Sequence, residues 1–350
     1  MFFCKQFIFM FLGVYFFSVN TVCTMCPWNS VDVAEGEKSV RQISSVFMGH
    51  ASSTHEQRTN QHVICKFCQR SNQTYIQYMV VTDGFQRRDS ENIVARDAIS
   101  ELVSKALDKK INDCLTAGKT ISKKLLEHIF LSVDWNIIHG DGQQDHLQEG
   151  SCASVVVVER EKVHIAWVGD VQVFCHRRLG KDIMSPKHVF KNKREQKRIH
   201  DLGYVVHEKD GIKIGEDYLK LSLTRCFVDT ERKMYHGFGG VRRLSDILWE
   251  NLENAYERNW EKFLISPVPE YFSIARKNVT FVVVATRVFW NYLTSKEVTE
   301  IVKRELDDLD NNEDQVGFVT RALKERVKEK HNENKKFDNM PDFYVGVILF

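Results

Sequence analysis

The segment Val80-Val81-Thr82-Asp83-Gly84 is the part of the sequence that indicates the fold most strongly, because an apolar run ends there in an aspartate-glycine pair. The runs His62–Phe67 and Thr74–Val81 are rich in β-branched and aromatic residues and predict two neighbouring strands. Asp-Gly is a common turn pair, so Asp83 taken alone is better explained as a turn residue than as a ligand. The segments around this turn decide whether the aspartate has a further role.

Strand patterns continue through the middle and the end of the chain. Short β-branched runs separated by turns occur at Ala153–Glu159, Val163–Val168 and Val171–His176. The run Phe281–Ala285 is apolar throughout, which predicts a strand buried on both faces. Tyr344–Phe350 predicts a terminal strand. The chain is therefore rich in strands on both sides of its midpoint.

Helical spacing of apolar residues alternates with these strands. It predicts helices over Ile93–Leu107, around residues 121–133, over Arg194–Leu202 and over Val241–Tyr256. Thr294-Ser295-Lys296-Glu297 has the spacing of a capping box and predicts the start of another helix. Helices that flank a central set of strands predict an α+β fold built as a layered sandwich.

Composition excludes some classes of function. The chain has 350 residues, 43% of them hydrophobic and 27% charged, and its formal net charge is +2. The apolar fraction is sufficient for a large core, and the charge balance gives no indication of a nucleic-acid partner. No internal repeat is visible.

The N-terminus has the pattern of a targeting segment. Residues 1–22 contain one charged side chain, Lys5, and an apolar stretch runs from Phe7 to Val19. That length is typical of a signal peptide and short for a membrane span, although an uncleaved N-terminal anchor and a buried helix stay as alternatives. We therefore predict a signal peptide or anchor over residues 1–24, a linker over 25–44 and one domain over 45–350.

The nine cysteines are ambiguous. Cys65 and Cys68 form a C-x-x-C pair, but zinc would need a second pair or a nearby Cys/His pair, so structural cysteines or disulfides are the better interpretation. Asn72 and Asn278 each begin a sequence that fits the N-glycan acceptor pattern, which chance also produces often.

Eight segments that keep their order over residues 45–350 resemble the motifs of the metal-dependent protein phosphatases of type 2C. The segments are Val80–Gly84, Gly150–Ala153, Ala166–Asp170, Glu195–Gly203, Leu223–Asp229, Ile265–Pro269, Val284–Val298 and Asp342–Ile348. Each match alone is weak, but eight in order identify the chain as similar to this family. The resemblance implies a four-layer α-β-β-α sandwich, in which two antiparallel sheets are flanked by helix pairs.

The resemblance also implies a reaction and its metal ions. Members of the family hydrolyse phosphoserine and phosphothreonine with two Mn²⁺ or Mg²⁺ ions. Two hard cations activate a bridging water and neutralise the phosphate, and they require several carboxylate oxygens around one point.

Some of the family's site positions are retained in this chain. Asp83 matches the aspartate that bridges both metals, and Gly84 matches the glycine that offers a carbonyl. Asp342 matches the late aspartate before the final strand, although it can equally be an acid of a surface loop. Asp170 matches an aspartate linked to an accessory metal, although it can equally cap a tight hairpin. Arg225 is better explained as a structural residue than as a phosphate ligand.

Other family positions are degenerate. Arg287 stands where a third metal-binding aspartate is expected, and Phe85 replaces a histidine that follows the aspartate-glycine pair. The N-terminal alignment places Thr59 and Asn60 at the early acidic pair and His55 at the phosphate-binding arginine. A guanidinium cannot deprotonate in a protein, so Arg287 puts a fixed positive charge where a divalent cation should bind.

These substitutions predict a pseudophosphatase that acts as a binding or regulatory module, with no metal or one weakly bound ion. We expect a protein partner, no nucleic acid, and contact with a membrane only through the N-terminal segment if it is uncleaved. The expected location is the secretory-pathway lumen or the cell exterior, or a membrane if the segment is an anchor. The alternative is an active serine/threonine phosphatase with a rearranged metal site. We also expect Asp83, Asp170, Arg287 and Asp342 to meet at one edge of the sandwich, with Arg287 beside Asp83 and Asp342.

Overall fold

The computed structural model describes residues 47–52, 61–69, 75–85, 93–139, 149–207, 211–214, 217–219, 223–230, 233–237, 240–243, 260–307, 315–334 and 342–350. The predicted targeting segment over 1–24, the predicted linker over 25–44, and the site candidates His55, Thr59 and Asn60 lie outside the described residues.

A six-stranded antiparallel sheet forms one half of the strand core. Its strands are β2 (Gln61–Gln69), β3 (Tyr75–Phe85), β4 (Gly150–Val158), β5 (Lys162–Val168), β11 (Phe227–Val228) and β14 (Glu270–Ala275). Their order is β14-β5-β4-β3-β2, and the short strand β11 pairs with β4. The observed β3 extends four residues beyond the predicted end at Val81 and includes Asp83 and Gly84.

A five-stranded sheet forms the other half. Its strands are β1 (Phe47–Ser52), β6 (Gln172–Arg177), β7 (Ile183–Met184), β15 (Val279–Ala285) and β16 (Tyr344–Leu349). Their order is β1-β16-β15-β6-β7, and all four pairings are antiparallel. Consecutive strands β5 and β6 therefore belong to different sheets, so the turn between them joins the two halves of the core.

Six helices and five short strands complete the described part of the chain. The helices are α1 (Ile93–Thr116), α2 (Lys123–His139), α3 (Lys193–Asp201), α4 (Arg287–Tyr292), α5 (Ser295–Asp307) and α6 (Gln315–Asn334). The short strands are β8 (Val205–His207), β9 (Gly211–Ile214), β10 (Asp217–Leu219), β12 (Met234–Gly237) and β13 (Gly240–Arg243). No described helix is both long and apolar enough to cross a membrane.

The buried side chains show how helices and sheets are layered. One cluster joins α1 and α2 to the six-stranded sheet, and a second contains side chains from both sheets. A third joins the five-stranded sheet to α4, α5 and α6. The predicted combination of antiparallel sheets flanked by helices is confirmed.

Strand β15 illustrates why the sequence pattern was informative. Phe281 and Val283 contribute to the cluster with the helices, whereas Val282 and Val284 contribute to the cluster between the sheets. Alternate side chains of a strand point to opposite faces, so a strand buried on both sides is apolar throughout. The prediction for Phe281–Ala285 is therefore confirmed.

The predicted capping box is also present. Thr294 N–H donates to Glu297 Oε2 at 2.9 Å, and Glu297 N–H donates to Thr294 Oγ1 at 3.3 Å. Each residue satisfies a backbone donor of the other, which fixes the start of α5.

One local prediction needs correction, and one alternative that the sequence left open is resolved. The helix predicted over Val241–Tyr256 is wrong at its start, because Gly240–Arg243 pairs with Met234–Gly237 as a strand, and residues 244–259 lie outside the described part. The C-x-x-C pair lies on β2, where residues three apart face opposite sides, and Cys65 packs between the sheets while Cys68 packs under the helices. These two thiols therefore share neither a disulfide nor a zinc ion.

Candidate functional site

The retained aspartates come together at one edge of the strand core. The register of β3 and β4 puts Asp83 opposite Cys152, and the register of β2 and β3 puts Gln61 on the other side of Asp83. The thiol of Cys152 donates to Asp170 Oδ1 at 3.3 Å. Pairing of strands distant in sequence therefore brings Asp83 and Asp170 to the same place, with Cys152 between them.

Cys152 is a buried and protonated thiol. Its side chain is 1% exposed, and burial, followed by the negative charges of Asp170 and Asp83, raises its pKa well above the usual range. The thiolate is the form of cysteine that attacks electrophiles and ligates metals. Cys152 is therefore neither a nucleophile nor a ready metal ligand here, and it serves as a hydrogen-bond donor to Asp170.

Gly169 makes the close approach of this hairpin possible. Its φ is +85°, and a Cβ built on it would lie 2.2 Å from Cys152 Sγ and 2.6 Å from Cys152 Cβ. Only glycine accepts that backbone conformation without a Cβ penalty, and only glycine leaves room for Cys152. Gly169 thus sets the distance between Asp170 and the thiol.

We expect Gly169→Ala to be much more destabilising than the matched change Gly118→Ala. Gly118 also has a positive φ, +73°, but a Cβ there would meet no heavy atom within 4 Å. The control should lose about 1–2 kcal/mol from the backbone conformation alone, and Gly169→Ala should lose on the order of 1–3 kcal/mol more from overpacking. Urea unfolding of both variants measures the difference, and equal losses would show that Cys152 can move aside.

Arg287 lies beside Asp170. It is the first residue of α4, its side chain is 59% exposed, and its Nη1 is 3.8 Å from Asp170 Oδ2. A cation at a helix N-terminus faces the positive end of the helix dipole, so this position favours an anion such as the aspartate that the family resemblance leads us to expect. The expected neighbours of Arg287 were Asp83 and Asp342, but the carboxylate within ion-pair distance is that of Asp170.

A second cation completes this cluster. Lys187 is half-buried, and burial is the main reason that its pKa is lowered. The negative charge of Asp170 opposes this shift, and the positive charge of Arg287 adds to it. Asp170 therefore lies in the field of two positive side chains. Sequence reasoning missed Lys187, because the segment around it carries only an unspecific excess of basic residues.

Asp342 reaches the same edge through the end of the chain. Its carbonyl oxygen accepts a hydrogen bond from Gln61 Nε2 at 3.3 Å, and Gln61 is the strand partner of Asp83. Tyr344 N–H donates to Thr286 Oγ1 at 3.0 Å, which ties this segment to the residue before Arg287. The four residues Asp83, Asp170, Arg287 and Asp342 therefore converge at one edge of the core.

Phe85 occupies its position as a packing residue. It is partly buried and contributes to the cluster between the sheets. A Cβ added to Gly150 would lie 2.2 Å from its ring, so the ring rests directly on the Gly150 backbone. A side chain in this role supplies no proton, in contrast to the histidine of the family motif.

The described residues at this edge do not supply the cluster of carboxylates that two metal ions would need. Hard cations need several carboxylate oxygens around one point. Asp170 instead accepts a thiol hydrogen bond on Oδ1 and has a guanidinium near Oδ2. Within the part of the chain that the structure describes, Asp83, Asp170 and Asp342 do not form a group of ligand atoms within 4.8 Å of one another.

One group of described residues does satisfy that distance, namely His188, Glu195 and Glu270. The backbone N–H of Gly169 donates to His188 Nδ1 at 3.1 Å, so Nδ1 presents its lone pair and the neutral ring carries its hydrogen on Nε2. His188 Nε2 therefore carries a hydrogen, lies 3.8 Å from Glu270 Oε1, and has no lone pair for a metal ion.

The carboxylate of Glu195 is also already engaged. Arg225 donates to Oε1 from Nε at 3.0 Å and from Nη2 at 2.7 Å, and Arg198 Nε donates to Oε2 at 3.1 Å. Burial alone would raise the pKa of Glu195, but the two arginines outweigh it and lower the pKa to about 2. This group is an ion-pair network, and Arg225 is structural, as its sequence context indicated.

The comparisons with known proteins agree with this fold. A model of the family "Protein phosphatase 2C" matches residues 34–334. By sequence, no curated protein matches the chain. The chain is similar in structure to serine-threonine phosphatase 2C from Toxoplasma gondii, with a TM-score of 0.53 and 12% identity over 87% of this chain and 99% of that one.

Two further solved structures show the same fold at the same low identity. The serine/threonine phosphatase Stp1 from Staphylococcus aureus has a TM-score of 0.51 and 12% identity, covering 91% of this chain and 99% of its own. A C. elegans sex determining protein has a TM-score of 0.51 and 12% identity, covering 87% of this chain and 64% of its own. The family match extends over most of the sequence, and the chain belongs to the protein phosphatase 2C family.

Proposed function

We propose that this chain is a pseudophosphatase, a protein phosphatase 2C domain that binds a protein partner and does not hydrolyse phosphate esters. The observation that carries the proposal is the contact of Arg287 with Asp170, 3.8 Å from Nη1 to Oδ2, at the edge where Asp83 and Asp342 also lie. The aspartate that the family resemblance leads us to expect is replaced there by a permanent cation. The replacement removes one negative charge and adds one positive charge.

The charge of the cluster supports this proposal. Two unit charges 4 Å apart interact by about 4 kcal/mol at an effective dielectric constant of 20, and the repulsion between an arginine and a divalent ion is twice that of two unit charges. Arg287 is more than half exposed, so solvent screens part of this repulsion. Lys187 is half-buried and less able to move away. Together they make this edge a poor place for Mn²⁺ or Mg²⁺.

We place this module in the secretory-pathway lumen or outside the cell, or on a membrane if the N-terminal segment is an anchor. The apolar run Phe7–Val19 with a single preceding charge supports this location. Sequencing the N-terminus of the protein from its native source tests it. We expect the mature chain to begin near residues 20–27, and an intact Met1 in a cytosolic fraction would contradict the location without affecting the site.

An active phosphatase with a rearranged site is the second candidate. It is favoured by the retention of Asp83, Asp170 and Asp342 at one edge. Turnover of a phosphopeptide by the wild-type chain in millimolar Mn²⁺ would establish it, and calorimetric titration with Mn²⁺ would show whether ions bind.

We expect Arg287→Asp to create metal affinity that the wild type lacks. Melting should show no effect of millimolar Mn²⁺ on the wild type. In the variant, saturation to ten times Kd should add about 1.4 kcal/mol, a rise in Tm of roughly 1–4 °C. Arg287→Gln is the matched control, because it removes the cation without adding a ligand. Activity should stay absent in both variants because Phe85 is unchanged. Strong stabilisation of the wild type by Mn²⁺ would contradict the proposal.

The loss of Arg287 should itself have little effect on stability. Its ion pair with Asp170 is 3.8 Å long and its side chain is 59% exposed. Exposed pairs of this kind contribute about 0–1 kcal/mol to the free energy of unfolding. A melting shift in Arg287→Asp that depends on Mn²⁺ therefore reports metal binding and is not confused with a large change in the apo protein.

A further inference from the structure

The turns at the end of the sandwich opposite the candidate site form one continuous surface. Strand β4 leaves the site end at Gly150, β6 leaves it at Gln172, and β15 reaches it at Ala285, so the other ends of these strands lie together. Arg178 N–H donates to the carbonyl of Asn278 at 2.9 Å, and Arg276 N–H donates to the carbonyl of Glu161 at 2.9 Å. We call the residues 176–182 and 276–278 the basic end.

The basic end carries more positive charge than the whole chain. Its cations are Arg177, Arg178, Lys181, Arg276 and Lys277, and its one acidic residue is Asp182. Five positive charges minus one give +4, against +2 for all 350 residues. The rest of the molecule is therefore slightly acidic, and the positive charge is concentrated here.

Three cations of the basic end, Arg178, Lys181 and Lys277, are available to a partner. Asp182 Oδ1 is already used by His176 Nδ1 at 2.9 Å and by the backbone N–H of Arg177 at 3.1 Å. No carboxylate of the described residues lies within ion-pair distance of Arg178, Lys181 or Lys277. Nothing in the described part of the chain therefore neutralises these three side chains.

A large apolar side chain stands at the tip of this surface. Leu179 is 73% exposed, the highest value among the large hydrophobic residues described. It lies between Arg178 and Lys181 in the turn from β6 to β7, and Gly180, with a φ of +87°, lets the chain reverse there. An exposed leucine flanked along the chain by cations fits a partner that offers negative charge above an apolar interior.

The N-terminal part of the chain enters the domain at the same end. Phe47 of β1 pairs with Leu349, and Ser52 pairs with Tyr344 on the site side. Residues 20–46, which number 27, separate Phe47 from the apolar run Phe7–Val19. They can span at most roughly 90 Å, so a membrane-bound N-terminal segment would keep the domain within that distance of the bilayer.

We propose that the basic end docks on the surface of an anionic phospholipid membrane, with Leu179 entering the interface and the cations contacting lipid phosphates and carboxylates. The candidate site then faces away from the bilayer, free for a protein partner. This inference does not rest on the loss of catalysis, and it requires that the leaflet facing the domain carry anionic lipid. A lipid surface is favoured over a soluble polyanion because a polyanion offers no apolar phase for Leu179.

Binding of the full-length chain to phosphatidylcholine vesicles with and without phosphatidylserine tests the proposal. The apolar N-terminal run can bind both vesicle types, so the measured quantity is the increment that phosphatidylserine adds. Each Lys or Arg near an anionic surface contributes about a fivefold increase in binding, so Arg178→Gln with Lys181→Gln should reduce the increment at least tenfold. Leu179→Ser should weaken binding to the anionic vesicles severalfold.

Lys296→Gln with Lys303→Gln, on the exposed face of α5, removes the same charge elsewhere and should change the increment little. Equal effects of the two double variants would overturn the proposal, because they would show a response to net charge alone. Wild-type binding that gains nothing from phosphatidylserine would also overturn the proposal. If the chain then bound heparin through the same residues, the partner of the basic end would be a soluble polyanion and not a membrane. Thermal melting of every variant verifies that it is folded.

Discussion

Replacing Asp134 with alanine is expected to lower the free energy of unfolding by about 3–5 kcal/mol. Asp134 lies in α2, and its carboxylate is completely buried together with the ammonium group of Lys233, with which it pairs. Removing one partner of a buried ion pair leaves the other charge without compensation in a medium that solvates it poorly. The variant must therefore bury an unpaired Lys233 or open this part of the core to water.

A strained backbone increases the effect of this change. Asp134 Oδ1 also accepts a hydrogen bond of 2.6 Å from the N–H of Val228. Val228 and Asp229 have φ values of +59° and +48°, which cost about 1–2 kcal/mol for each residue that is not glycine. Val228 stands at the glycine of the family segment that Leu223–Asp229 resembles. The Asp134 carboxylate thus holds a left-handed turn that the local sequence no longer favours.

Urea unfolding of four variants separates the charge from the hydrogen bond. Asp134→Asn keeps an acceptor for Val228 and loses only the charge, and Lys233→Met removes the other partner. The double variant Asp134→Ala with Lys233→Met should cost less than the sum of its single changes, because it leaves no buried charge. A loss below about 1 kcal/mol in Asp134→Ala would show that water reaches the pair and that the site is not dry.

The arrangement of elements was predictable because the patterns that specify it are local. The continuous apolar run Phe281–Ala285 required burial on both faces, and the spacing from Thr294 to Glu297 required a helix start. The segment after Gly240 shows the limit of such reasoning. Its apolar spacing favours a helix, but pairing with Met234–Gly237 depends on a strand elsewhere in the chain, which periodicity does not report.

The candidate site was predictable in its position and less so in its contacts. Strand-end motifs indicated that Asp83, Asp170, Arg287 and Asp342 converge. The pairing of the strands fixes the positions of their ends at one edge, independently of the conformation of the loops. The partner of Arg287 was not predictable, since a long side chain at a helix start can reach several carboxylates. The sequence left open whether Cys65 and Cys68 are structural cysteines or disulfide partners, because C-x-x-C brings thiols together on a turn or helix and separates them on a strand.

Glu195 shows most clearly what sequence reasoning could not assign, and its replacement is the second large effect that we expect. It matched a motif by spacing, but its role depends on Arg225, 30 residues away in sequence, and on Arg198. Arg198 also donates to the carbonyls of Phe263, Leu264 and Thr224, at 3.1, 2.9 and 3.0 Å. Glu195 thus holds two guanidinium groups that fix α3 to the loops on either side of it.

Glu195→Ala is expected to cost about 3–5 kcal/mol, because two largely buried guanidinium groups would lose their closest counterion among the described residues, and Arg225 would keep only the more distant Glu270, 3.9 Å away. Glu195→Gln keeps the size and one acceptor oxygen, so it should cost less than Glu195→Ala. Both variants lack the negative charge of Glu195, but only Glu195→Ala also loses most of the side-chain volume. The cost that they share therefore measures the electrostatic part.

The pH dependence of stability gives an independent measure. The pKa of Glu195 is about 2 in the folded chain against 4.5 for the free side chain. A lowered folded-state pKa contributes stability that is fully present above pH 4.5 and is lost as the pH falls towards 2, by an amount on the order of 3 kcal/mol. Glu297 also has a pKa lowered to about 2, so the wild type should lose additional stability in the same window.

The difference between wild type and Glu195→Gln cancels this background. It should be constant above about pH 5 and shrink as the pH falls from 4.5 to 2, because protonation of Glu195 makes the wild type resemble the variant. Urea unfolding at a series of pH values measures it. A difference that stays constant down to pH 2 would show that Glu195 is not held ionised by Arg198 and Arg225. The network would then stabilise the loops around α3 through hydrogen bonds and packing, without a contribution from its charge.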